Sequence, residues 1–144
     1  MPSCYLLAVC AGASLDRHSN NVSLFNLVEQ VNVRPGASRP PNGLLPLEVH
    51  AYFHVDPQEV HFEFEVRFAV AADSGLETFS DPIRHRAATP RYRTRTIGLP
   101  LPPVLGQYGV CVEWRMVGSE GWHREPLRWP LAMVETSPKP AVTH

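Results

Sequence analysis

A chain of 144 residues is long enough for one domain that buries roughly 70% of the surface its unfolded form exposes, so no metal or disulfide is needed to hold it. Its net charge of −1 excludes a protein that works by global attraction to nucleic acid or to an anionic membrane. Cys4, Cys10 and Cys111 form an odd set without metal-ligand spacing, which reads as reduced thiols in a cytoplasmic protein.

Residues 4–11 read as a strand with apolar side chains on both faces, ended by Gly12. The run from Tyr5 to Ala11 has neither the preceding basic residue nor the length of a signal peptide. No apolar run approaches the ~18 residues that cross a bilayer, so no membrane partner is expected. Asp16 to Asn21 is a polar turn. Residues 22–33 mix helical spacing (Leu24, Leu27, Val28, Val31) with the β-branching of Val22, Val28, Val31 and Val33, and are assigned to strand because Arg34-Pro35-Gly36 stops them in an otherwise β chain. Residues 34–46, rich in proline and glycine, form a loop.

The strongest pattern lies in 47–68. Leu47, Val49, Ala51, Phe53 and Val55 alternate with polar residues, as do Val60, Phe62, Phe64, Val66 and Phe68. Asp56-Pro57-Gln58-Glu59 between them is turn chemistry, so the expectation is a hairpin opposing Phe53 to Phe62 and Ala51 to Phe64. Asp73-Ser74-Gly75 is a turn, 76–79 a short strand, 80–91 polar and proline-broken, and 92–99 extended again. Leu99 to Pro103 then crosses between sheets. Tyr108, Val110, Val112, Trp114 and Met116 share one face of a strand, and Leu127, Trp129, Leu131 and Met133 one face of the next. Pro126 and Pro130 confine that last strand to an edge. Residues 1–135 are thus one domain, and 136–144 an aperiodic, disordered tail.

Seven or eight short strands with turns between them describe an all-β, antiparallel β-sandwich. Gly106-Gln107-Tyr108 resembles the tyrosine corner of immunoglobulin-like sandwiches, in which a buried ring donates its hydroxyl to backbone upstream. The expected core holds Phe53, Phe62, Phe64, Val66, Tyr108, Val110, Val112 and Trp114. With Val22-Ser23-Leu24-Phe25-Asn26-Leu27-Val28, the stretch from Phe64 to Gly75 and Leu99-Pro100-Leu101, the chain resembles a family of small bacterial β-sandwich proteins of unknown function. That resemblance implies fold and a bacterial or phage origin, and carries over no catalytic residue.

Three sets of residues are candidates for function. The hairpin register puts His54 opposite His61, His50 opposite Glu65 and Glu48 opposite Arg67, so His54, His61 and Glu63 are candidate metal ligands. His50 and His54, roughly 13 Å apart along a strand, cannot share one tetrahedral centre. Arg91, Arg93 and Arg95 share a strand face, and with Arg84 and Arg86 place five of the twelve arginines in twelve residues. Such a row grips phosphates or an acidic partner unless carboxylates such as Glu63 and Glu65 neutralise it. Tyr92 points to the other face, so the aromatic interleaving of a single-strand binder is missing and nucleic acid is not the expected partner. Finally, Leu6, Phe25, Leu27 and Val28 supply more apolar surface than one core needs, which marks a partner or self-association surface.

Ser, His and Asp occur in no nucleophile-elbow context, so no catalytic residue and no cofactor is assigned. The expectation is a non-enzymatic interaction or assembly module that pairs with a protein or with itself. A metal or small-ligand site on the His-bearing sheet face is the alternative.

Overall fold

The computed structural model describes residues 1–34 and 43–136; of the expected tail only Thr136 falls among them. The described residues form ten strands: β1 (Ser3–Leu15), β2 (Val22–Leu27), β3 (Gln30–Val33), β4 (Leu44–His54), β5 (Glu63–Ala72), β6 (Glu77–Phe79), β7 (Ile83–Arg86), β8 (Arg91–Pro100), β9 (Gly106–Met116) and β10 (His123–Glu135). One sheet runs β2-β1-β4-β8 and the other β3-β10-β9-β5-β6, with β7 also on β5. The two pack face to face as an all-β sandwich. Strands beyond the seven or eight expected are short pieces: β3, β6 and β7 have three or four residues each.

The apolar alternation in 47–68 exists, but the hairpin does not. β4 pairs with β1 and β8, and β5 pairs with β9, β6 and β7, so the two strands lie in opposite sheets. Between them Asp56 accepts from the Gln58 amide at the start of a 3-10 turn over Pro57–Glu59. His61 takes a positive φ of 76° and donates its amide to the Ala87 carbonyl. These turns carry the chain across the core instead of reversing it within one sheet. Phe53 therefore meets Phe64 across the sandwich, edge to face at 5.9 Å, rather than Phe62 beside it. Phe62, expected in the core, lies in the crossing and is 54% exposed. The other seven expected core residues are buried.

Residues 22–33 are strand, but in two pieces. Asn26 adopts φ 54°, a left-handed conformation asparagine tolerates, and the chain passes from sheet to sheet at Val28-Glu29. There the Val28 amide donates to Val9 of one sheet, and its carbonyl accepts from the Trp129 indole of the other at 2.7 Å. The last strand is not simply an edge. β3 pairs in parallel with its final four residues, Ala132 to Glu135, after both prolines, while Pro126 sits where the register to β9 shifts. The tyrosine-corner contact is present: Tyr108 donates its hydroxyl to the Val104 carbonyl at 2.5 Å.

Candidate functional site

The outer face of the four-stranded sheet is built from alternate residues of three strands. The registers place Leu6, Tyr52 and Arg93 in one row, Ala8, His50 and Arg95 in the next, and Cys10, Glu48 and Ile97 in a third, with His54 and Arg91 at the near end. β1 stops pairing with β4 at Cys10, and its continuation with β2 bends back over this face. Asp16 holds the bend's tip: its carboxylate accepts from the His18 amide, which keeps it below the usual carboxylate range. The tip is anchored where Arg93 donates to the Asn20 carbonyl at 2.7 Å.

Under this cover lies a cleft of about 640 Å³ lined by His50, Tyr52, Thr89, Thr94 and the three arginines on one side, and by Ala13–Leu15 and Ser19–Val22 on the other. Among the described residues no carboxylate lines it. Beside it lies an ion pair whose acid is buried. Glu48 accepts from Arg95 through both oxygens, at 2.7 Å each, and from His50 Nε2 at 3.0 Å. Glu48 and His50 are both buried. The Arg95 guanidinium, with His50 adding to it, outweighs burial and lowers the Glu48 carboxyl to about 2.

The three arginines differ in what they have left to offer. Arg95 is neutralised by Glu48. Arg93 spends one nitrogen on Asn20 and lies over the Tyr52 ring at 5.5 Å, with no ion pair among the described residues. The Arg91 side chain has no hydrogen bond or ion pair among the described residues and is exposed. The carboxylates expected to neutralise this row lie elsewhere: Glu63 faces Arg86 and Arg84, and Glu65 faces Arg115, on the other sheet.

His54, His61 and Glu63 are not brought together, because the hairpin that would have joined them is absent. His54 stacks on Tyr5 at 4.4 Å, His61 sits in the crossing turn, and Glu63 holds Arg86 at 2.8 Å. The ligand-type atoms that do converge are those of Cys10, Glu48 and His50, within 4.8 Å of one another. Their chemistry suits a hydrogen-bonded network better than a cation. Both Glu48 oxygens are taken by a guanidinium that would repel a metal, and burial pushes the Cys10 thiol above its ordinary value, away from the thiolate a metal requires. Leu6 is half-buried and Val28 packs against the core, whereas Phe25 and Leu27 are 51% and 57% exposed.

Sequence reasoning missed Glu48, Tyr52 and Asn20 as parts of one site. The signal for the first two was present, since Glu48, His50 and Tyr52 alternate on one strand; Asn20 is joined to them only by the fold-back of the β1–β2 hairpin. Among the described residues no helix is long and apolar enough to cross a membrane. No protein-family model matches the chain, and no curated protein matches it either.

Proposed function

We propose that this chain is a binding module, acting without catalysis, whose cleft on the outer face of the four-stranded sheet receives the anionic group of a partner. The observation that carries this is the pair Arg91 and Arg93, two guanidinium groups beside a cleft with no carboxylate among its described lining residues. A guanidinium offers a planar fork of donors that matches phosphate or carboxylate oxygens, and Tyr52 adds an apolar surface beside it. Calorimetric titration with tripolyphosphate at low and at physiological salt tests it. Binding should weaken with salt and fall at least tenfold in the double variant Arg91→Ala/Arg93→Ala. Equal affinity in that variant, or no binding at low salt, rules the cleft out.

A second reading rests on Phe25 and Leu27, exposed apolar side chains on the edge strand β2. They suit self-association, the covering of one edge by that of a second copy. Sedimentation of the wild type and of Phe25→Ser decides it: a concentration-dependent dimer lost in the variant supports it, and a monomer at high concentration removes it.

A further inference from the structure

The arginine row also belongs to an open strand edge. β8 is the end strand of its sheet, and no strand lies beyond it among the described residues. Which of its backbone groups face outward follows from the ladder. The Val55 amide donates to the Pro90 carbonyl at 2.7 Å, and the register runs without a break from His54 opposite Arg91 to Glu48 opposite Ile97. In an antiparallel pair, residues bonded to the partner strand alternate with residues whose N–H and C=O point away from it. Pro90, Tyr92, Thr94 and Thr96 therefore face β4. Arg91, Arg93, Arg95 and Ile97 turn their backbone groups to the open edge and their side chains to the outer face. Among the described residues only one of those edge groups is occupied, the Arg91 carbonyl by the Thr89 hydroxyl.

We infer that the anionic partner is an acidic polypeptide segment in extended form, adding to the sheet as a strand against β8. This rests on the anion-binding proposal and names the partner it serves. Charge selects the occupant. A second copy pairing β8 with β8 would set arginine rows side by side, and like charges across a strand pair are destabilising. A strand with acidic residues at alternate positions would instead align its carboxylates with Arg91 and Arg93, the two guanidinium groups that Glu48 does not neutralise, at the same spacing of roughly 6.6 Å. Ile97, 68% exposed at the far end of the row, calls for an apolar residue at the next alternate position. Main-chain bonds to the edge give affinity and the alternate side chains give specificity, the logic of strand addition. The other edge strands suit it less: β3, β6 and β7 are short, and β2 is bent at Asn26.

The test uses an eight-residue peptide alternating glutamate and threonine and ending in valine, a copy N-methylated at the residues that would bond the edge, and tripolyphosphate. Calorimetry gives affinities, and NMR hydrogen exchange follows the amides of Arg93, Arg95 and Ile97. The peptide should bind and slow exchange at those amides at least tenfold, and the methylated copy should bind at least tenfold more weakly. Ile97→Pro, which deletes one edge donor, should weaken the peptide tenfold and leave tripolyphosphate unchanged. Peptide binding without amide protection, or tripolyphosphate binding without peptide binding, overturns strand addition and leaves the anion cleft standing. Failure of both ligands at low salt overturns both proposals.

Discussion

On the outer face of the six-stranded sheet, Arg67, Arg84, Arg86, Arg115, Arg124 and Arg128 each have a carboxylate within 4 Å; on the four-stranded sheet, only Arg95 of the row Arg91, Arg93 and Arg95 does. The first face is a lattice. Glu113 holds both Arg67 and Arg124, Arg124 reaches on to Glu77, and Trp122 lies against both Arg67 and Arg115 at 4.3 Å. Glu113 at its centre is buried, whereas the solvent-facing pairs around it, such as Arg84 and Arg86 with Glu63, contribute little each. The second face keeps two cations unneutralised and places a folded-back hairpin over a buried acid. The same residue type thus serves cohesion on one side of the sandwich and, at Arg91 and Arg93, is left without an ion pair among the described residues on the other.

The scale for breaking that comparison is set by the core both faces share. Phe64→Ala, which removes the ring packed on Phe53, should cost about 3–5 kcal/mol in urea denaturation by leaving a cavity. Next, Glu48→Ala should cost about 2 kcal/mol, because it strands the buried His50 and frees Arg95. Glu113→Ala on the other sheet should cost about 1 kcal/mol, since Arg124 retains Glu77 and Arg67 retains its aromatic neighbours. Both acids are buried, so equal costs would mean that the stranded His50 adds nothing to the loss of Glu48.

Acid separates the faces again. The Glu48 carboxyl is lowered from 4.5 to about 2 in the fold, so its contribution is complete above pH 4.5 and is lost as pH falls from there towards 2. With Arg95 half exposed, the loss is roughly 1–2 kcal/mol. Denaturation between pH 5 and 2.5 should therefore show a steeper decline for wild type than for Glu48→Gln. Parallel curves would place the acid sensitivity elsewhere.

The sandwich and nearly all its core were legible because alternation reports which face of a strand is buried. It does not report the neighbour. Two strands with matched apolar faces satisfy the same pattern side by side in one sheet or stacked across the core, and 47–55 and 60–68 took the second arrangement. The deciding features, His61 at positive φ and the amide bonds from Val55 and His61 to Pro90 and Ala87, depend on residues far along the chain. Because the metal candidates His54, His61 and Glu63 were drawn from the pairing, they failed with it. The arginine row needed only one strand's own alternation, and it stands as expected on an outer face. Its cover was not legible, since nothing local in 13–22 specifies that the hairpin bends back to Asn20.

The smallest effect on stability should be the most informative about function. The Arg91 side chain makes no hydrogen bond or ion pair among the described residues, so Arg91→Ala should change stability by less than about 0.5 kcal/mol. Arg86, which faces Glu63 from an exposed position, should respond as weakly to Arg86→Ala. In folding terms the two arginines are alike. They should part company in binding: removing Arg91 deletes a free guanidinium beside the cleft and should weaken tripolyphosphate about five- to tenfold, a loss of about 1–1.4 kcal/mol. Removing Arg86 should leave the affinity unchanged, because its charge already belongs to Glu63 and lies on the opposite sheet. If both variants weaken the anion alike, attraction is a property of the whole surface rather than of one face, and the distinction between the two sheets loses its functional meaning.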